Sequence, residues 1–278
     1  MRPDGRRVKN MDSMYYLIPH FLPHRYDAMN MVTLDIPVEP LRKYMNEKRK
    51  QGIQMSHLAL IIAAYLRTAA EFPFLNRFVG NKTIYAHKDF TVSMVVLRPG
   101  TDEDTMSKVY LDYQDTIFEV QRKMDTYITE NRKDNNANKL DKAMKILTQI
   151  SFLLSFVMAI LRFMDRHGLL PMALVKASPF HASLLISNLA SIRTNHIYHH
   201  VYEFGTTSVA ITMGNMREVP RRHRGEIVFD RCIPLGVVMD ERICSGHYFA
   251  QAFARVKEYL NNPELLEVPP QFEIIPDR

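Results

Sequence analysis

Two cysteines, Cys232 and Cys244, are all that a chain of 278 residues contains. They cannot build a disulfide framework, and no second pair stands at metal-ligand spacing. A secreted disulfide scaffold and a cysteine-held zinc site are therefore excluded, and a cytoplasmic setting is expected. The opening residues Met1-Arg-Pro-Asp-Gly-Arg-Arg7 have no apolar core, so no secretory signal is expected. There is no internal repeat and no low-complexity tract. Long apolar runs are also scarce. The strongest is Ile146–Met164, with fourteen apolar residues in nineteen. Its length suits a bilayer, but Thr148, Gln149, Ser151, Ser155 and Arg162 interrupt it. It reads as a core helix or one packed on another subunit. Lining an apolar pocket or lying on a membrane surface are the other readings.

What is present is a globular composition, 46% apolar and 24% charged, with a formal net charge of +6. The positive excess is clustered in Arg2, Arg6, Arg7 and Lys9 and in Arg217–Arg224. Solvated loops account for it, as does attraction to an anionic partner such as a nucleotide-like cofactor or a membrane surface. No nucleic-acid partner is expected.

The pattern along the chain alternates strands and helices. Residues 1–28 read as a polar, irregular arm. Met29–Ile36 alternates like a strand, and a helix follows over about Glu39–Gln51. Ser56 is placed to cap a second helix, Leu58–Phe72, which is apolar almost all round and therefore buried. Asn81-Lys82 supplies a turn before strands Thr83–Ala86 and Phe90–Leu97, the latter closed by Pro99-Gly100. Acidic Thr101–Asp104 opens a new segment. Ile117, Val120, Met124, Tyr127 and Ile128 share one face of a helix ending near Lys133, and Asp134–Asn138 is a polar break. Ser183–Asn188 and Val209–Met213 read as strands separated by a loop that holds His196, His199 and His200. A basic loop, Arg217–Arg224, precedes the strands Ile227–Phe229 and Ile233–Met239. The charged turn Asp240-Glu241-Arg242 then leads into a helix over about His247–Leu260.

Five short motifs stand in a fixed order: Pro73-Phe-Leu-Asn76, Ile186-Ser-Asn-Leu-Ala-Ser191, Ser208–Gly214, Pro234–Gly246 and Tyr259–Leu266. Together they resemble the catalytic domain shared by chloramphenicol acetyltransferase and the acyltransferase (E2) component of 2-oxoacid dehydrogenase complexes. The order of elements matches over most of residues 25–267, and no lipoyl-like or linker segment is expected ahead of it. The resemblance implies one α+β domain over 1–278. It is a two-layer sandwich with a mixed sheet and helices on one face, and residues 115–170 form a helical segment within it. It also implies a homotrimer with active sites between subunits. The implied chemistry is transfer of an acyl group from a coenzyme A thioester to a small-molecule hydroxyl, thiol or amine acceptor.

At the signature itself the chain departs from the family. Where the family has His-x-x-x-Asp-Gly, this chain has Glu241-Arg-Ile-Cys-Ser245-Gly246. An acceptor hydroxyl needs a base within hydrogen-bond reach, so Glu241 or a migrated histidine must fill the role. His199 and His200 are the candidates, with His181 and His247 near the site in sequence. Ser187 matches the family's oxyanion donor, and a satisfied strand-end serine is its bland alternative. Arg25 matches the arginine that pairs with the family's aspartate. Ser245 cannot supply that charge, so Arg25 is expected to lack its partner, or to face Glu241 or a ligand. Arg25, Ser245 and His247 are thus the expected substrate contacts. On a helical turn His196 and His200 would share a face, whereas adjacent His199 and His200 point apart on an extended segment. No Asp or Cys supports a metal site there, and none is assigned. The competing reading is an inactive acyltransferase-fold scaffold, and peripheral membrane contact through 146–164 is a third.

Overall fold

The computed structural model describes residues 2–97, 104–133, 151–275 and 277. The expected turn at Pro99-Gly100, the acidic segment 101–103, the break at 134–138 and the first residues of the apolar run, 146–150, lie outside the described residues.

The centre is a mixed seven-stranded sheet in the order β2-β10-β8-β7-β5-β6, with β9 paired to β10. Its strands are β2 (Met29–Pro37), β5 (Phe90–Leu97), β6 (Asp104–Leu111), β7 (Leu184–Asn188), β8 (Val209–Met213), β9 (Arg217–His223) and β10 (Glu226–Asp240). β7 runs parallel to both β5 and β8, and the other pairs are antiparallel. A second sheet holds β1 (Gly5–Arg7), β4 (Thr83–His87) and β3 (Arg77–Gly80).

Alternation along the strands separates two faces. Leu34, Ile36, Val92, Met94, Leu184, Ile186, Val209, Ile211, Leu235 and Val237 join one buried core. Helices α2 (Val38–Lys50), α3 (His57–Glu71), α4 (Ile117–Lys133) and α7 (Gly246–Asn261) contribute to that core. In α3, thirteen of fifteen residues are buried. Each large aliphatic side chain so buried contributes about 1.5–3 kcal/mol. Ser56 caps α3 by accepting from the Ala59 N–H at 3.1 Å, as its sequence position predicts. The opposite face is more polar, with Leu185, Ala210, Val238 and Val201 forming a small second cluster. The α+β, mixed-sheet architecture is therefore as expected from the sequence.

Three segments differ from the sequence reading. The arm contains β1 and a capped helix, α1 (Ser13–Phe21), with Asp12 accepting from Met14 N–H. Pro19 inside α1 hides its helical signal. The basic loop Arg217–Arg224 is mostly strand β9, turning back at Arg224-Gly225, where both φ values are positive (50° and 89°), as a tight hairpin requires. The two strands expected over 227–239 are one continuous 15-residue strand, β10. Its outer half is largely exposed, and Pro234 interrupts its inner half in sequence only.

The apolar run 146–164 contributes α5 (Ser151–Arg166), followed by the short α6 (Met172–Ala177). Phe152, Phe156, Ile160 and Phe163 on α5 are exposed. Asp165, near its C-terminal end, is buried. Among the described residues, no helix is long and apolar enough to cross a membrane.

Candidate active site

Strand register separates the sequence candidates: Ser187 lies in a row on the sheet's polar face, and Glu241 follows the end of β10. Ser187 pairs with Thr212, Thr212 with Gly236, and Gly236 with Thr33. Directly opposite residues share a face, so these four positions form one row on the side away from the helices. Asp240 lies four residues beyond Gly236 on β10, about 13 Å along the strand, and Glu241 follows it. Within one chain Ser187 and Glu241 therefore do not meet.

At the Glu241 end, the strand finishes in a buried charge cluster. Asp240 is fully buried and takes a bidentate pair from Arg242, Nε to Oδ1 at 2.8 Å and Nη2 to Oδ2 at 2.7 Å. Arg25 Nε lies 3.5 Å from Asp240 Oδ2. Arg25 keeps an aspartate partner after all, since the residue before Glu241 supplies the charge that Ser245 lacks. Arg25 also donates to the carbonyls of Tyr202 (2.5 Å) and Gly205 (3.3 Å). Burial lowers its pKa, with Asp240 pulling the other way. Two arginines on one carboxylate leave a buried positive surplus, which is costly unless further groups compensate.

Glu241 itself is half-buried. Asn30 Nδ2 donates to its Oε2 at 2.6 Å, and its backbone N–H donates to Ala28 O at 2.8 Å. Ser245 is the N-cap of α7, its Oγ accepting from Tyr248 N–H at 3.2 Å. Serine is a favoured residue at such a cap, and it carries no charge. His247 is exposed on the first turn of α7.

The histidine loop is extended rather than helical. His196 Nε2 lies 3.1 Å from Thr33 Oγ1, over the Ser187 row. A side chain on Gly214 or on Gly236 would collide with residues 195–197, so these two glycines let the loop lie against the sheet. Thr212 Oγ1 holds the loop at both the N–H and the carbonyl of Ile197. Burial lowers the His196 pKa, helped by Arg217 and opposed by Asp35. Its Nδ1 is buried without a partner among the described residues. His199 and His200 lie further on. The His199 Nδ1 is 2.9 Å from His200 O, and both rings pack near Tyr202. Val201 N–H contacts Met29 Sδ at 3.3 Å, and Met29 pairs with Asp240. His199 and His200 therefore belong to the Glu241 end, and His196 to the Ser187 end.

His181 serves a buried network instead. Its Nδ1 meets Ser178 Oγ at 2.8 Å and its Nε2 meets Asp165 Oδ1 at 3.2 Å. Asp165 also accepts from Arg2 Nη2 (2.7 Å) and from the Gly205 N–H (2.9 Å). Burial alone would raise the Asp165 pKa, but the bonds from His181 and Arg2 bring it well below the usual carboxylate range. Sequence reasoning missed this network, because nothing local links Arg2 to a residue 163 positions away. It missed Asp240 for another reason: the signature draws attention to Glu241 and Ser245.

This α+β architecture, a mixed sheet with helices on one face, is the fold of E2 acyltransferase catalytic domains and chloramphenicol acetyltransferase. Residues 181–268 match the family of 2-oxoacid dehydrogenases acyltransferase (catalytic domain). Among solved structures, the chain is similar to a probable dihydrolipoamide acetyltransferase from Listeria monocytogenes. That match has a TM-score of 0.58 and 12% identity, covering 97% of this chain and 99% of the other. The dihydrolipoamide acetyltransferase of Azotobacter vinelandii matches at TM-score 0.60 and 12% identity, covering 93% of each chain. In that enzyme a serine, a histidine and an asparagine are implicated in the catalytic mechanism. A chloramphenicol acetyltransferase matches at TM-score 0.55 and 11% identity, covering 92% of this chain and 99% of the other. No curated protein sequence matches the chain.

Proposed function

We propose that this protein is a stand-alone, coenzyme A-dependent acyltransferase of the cytoplasm that works as a homotrimer. It moves an acyl group from a thioester to a small-molecule hydroxyl, thiol or amine. The observation that carries the reading is the separation of Ser187 from Glu241 along one sheet. A serine donor in mid-sheet and an ionisable base beyond the end of β10 are useless to each other in one chain. They become a site when the Ser187 end of one copy faces the Glu241 end of the next. Ser187 would then donate to the oxyanion of the tetrahedral intermediate. Glu241, or His199 or His200 beside it, would take the acceptor's proton. Arg25 and Arg242 hold Asp240, and thereby the turn that presents Glu241.

The test is release of free coenzyme A from acyl thioesters against an acceptor panel. Ser187→Ala should cost on the order of 100-fold in kcat, the loss typical of one oxyanion donor, and Glu241→Gln should cost a comparable amount. Mixing the two inactive variants after subunit exchange should restore part of the activity, because some interfaces then carry both intact residues. Loss without restoration would sink the shared site.

A non-catalytic scaffold of the same fold is the second reading. It is favoured by the Asn30 bond to Glu241 and by the use of Ser245 as a helix cap. It takes over if no acceptor in the panel prompts thioester cleavage.

A further inference from the structure

A cleft of about 490 Å³ opens beside the Arg25–Asp240 corner, between the arm, the β3–β4 turn and α5. Its walls are electrostatically lopsided: six lining side chains are cationic, and two, Asp165 and Glu203, are carboxylates. The floor holds Arg2, Arg25 and Arg242, each at least 94% buried. Their N–H groups are mostly consumed by Asp4, Asp165, Asp240 and backbone carbonyls. Arg25 Nε is the exception: it is buried and has no hydrogen bond, only the 3.5 Å ion pair to Asp240. Asp4, Asp165 and Asp240 balance these three guanidinium groups, so the floor is close to neutral and offers few free donors.

The rim is the reverse. Lys82, Arg162 and Arg166 are exposed, and among the described residues Lys82 and Arg162 have no carboxylate partner. Lys82 is fixed there by the left-handed turn Asn81-Lys82 (φ 44° and 63°), and Arg166 Nε reaches Asn81 Oδ1 at 3.4 Å. At the mouth, the His24 and Tyr26 rings stack in parallel, 5.0 Å apart and 6° from coplanar, with Tyr26 60% exposed. Free cationic donors at the rim and a flat aromatic platform match a ligand that is anionic at one end and a planar ring at the other.

We propose that this cleft binds a nucleotide, its phosphates held by Lys82, Arg162 and Arg166 and its base laid on the Tyr26 ring. A free nucleotide and the nucleotide part of a coenzyme present the same chemistry. The proposal concerns binding alone and stands whether or not the protein transfers acyl groups.

The experiment is calorimetric titration of the full chain at low salt with ADP, coenzyme A and inorganic pyrophosphate. The double variant Lys82→Gln/Arg162→Gln should weaken all three at least tenfold. Tyr26→Ala should weaken ADP and coenzyme A about fivefold or more and leave pyrophosphate within twofold. A charge-matched control on the β9–β10 hairpin, Arg222→Gln/Arg224→Gln, should leave all three within twofold. All four residues changed to glutamine are exposed, and unchanged thermal unfolding checks that each variant is folded. Tighter binding of coenzyme A than of ADP would identify a coenzyme as the source, and equal binding a free nucleotide. The proposal is overturned if none of the three binds the unaltered protein, if the hairpin control weakens binding as much as the rim variant, or if Tyr26→Ala weakens pyrophosphate as much as ADP.

Discussion

The two halves of β10 share one backbone ladder and little else. From Glu226 to Arg231 the strand pairs only with β9, and Ile227 and Phe229 stand 69% and 64% exposed. From Cys232 to Asp240 it pairs with β2, over Leu235–Met239 also with β8, and every residue is buried. Each half carries an Arg–Asp pair. In the outer half Arg221 Nε reaches Asp230 Oδ2 at 2.5 Å, and both side chains are open to water. In the inner half Asp240 holds Arg25 and Arg242 with none of the three more than 2% exposed. The bond lengths are similar and the energetic roles are not. Water can replace the outer pair, whereas nothing can replace the inner one.

The sharpest way to break that contrast is to remove the inner carboxylate. Asp240→Ala should leave two buried guanidinium groups facing each other and cost about 3–5 kcal/mol, read as a shift in the urea midpoint. Asp240→Asn keeps the shape and should cost less. If Asp240→Ala unfolds at the same urea concentration as the unaltered protein, the inner pair is no more structural than the outer one.

The inner half also has a steric constraint that the outer half lacks. Gly236 faces the histidine loop, and an added methyl would drive into Ile197 O and crowd Thr212 Oγ1. Gly236→Ala should therefore destabilise by about 1–3 kcal/mol, the usual cost of overpacking. Its more telling readout is the loop: His196 should lose its Thr33 contact, visible as a changed imidazole NMR titration. Gly225→Ala, at the tip of the outer half, has open space around the new methyl. Its cost should come only from the positive φ of 89°.

This contrast also explains what the sequence makes legible. The inner half, α3, β7, β8 and the capped start of α7 are readable because burial forces apolar periodicity and caps onto them. The outer hairpin is readable only in part: Ile227–Phe229 reads as a strand, but in Arg217–Arg224 the arginines with Pro220 suit an edge strand as well as a loop. Pro19 conceals α1 in the same way. At the candidate site, Ser187 and Glu241 are found through their motif positions. The role of Asp240 is invisible without knowing that Arg25 packs behind it. His196 reaches the Ser187 row only because its loop is extended across Gly214, just after β8, and Gly236 of β10.

Acid should separate buried from exposed charge across the whole molecule. His87, half-buried against Phe78 with its Nε2 3.2 Å from Thr206 O, has its pKa lowered to about 4 by burial, with Asp4 opposing. In the unfolded chain it takes a proton near 6.5. Between about pH 6.5 and 4 the unfolded state thus binds the extra proton, so stability falls as pH falls across that window. For a half-buried ring the loss should be about 2 kcal/mol. Asp4 and Asp165, held low by Arg2 against the opposing pull of burial, add loss in the same direction at lower pH. Thermal melts at pH 7, 5.5 and 4 should show this slope, and His87→Gln should flatten its upper part. A stability independent of pH between 6.5 and 4 would mean that His87 is as solvated as the hairpin residues.

The smallest effect belongs to the outer pair. Asp230→Ala removes the partner of Arg221, but an exposed guanidinium is rehydrated at once and its side chain regains rotamer freedom. The melting temperature should not move measurably, at low salt or at high salt. The same substitution offers a check on the oligomer. If β9 and the outer half of β10 lie against a second copy, Ile227, Phe229 and the Arg221–Asp230 pair are buried in the assembly. The variant would then weaken association and make the melting temperature depend on protein concentration. A pair that is silent in the monomer and costly in the assembled protein would turn the outer half of β10 into a counterpart of the inner half, buried between chains instead of within one.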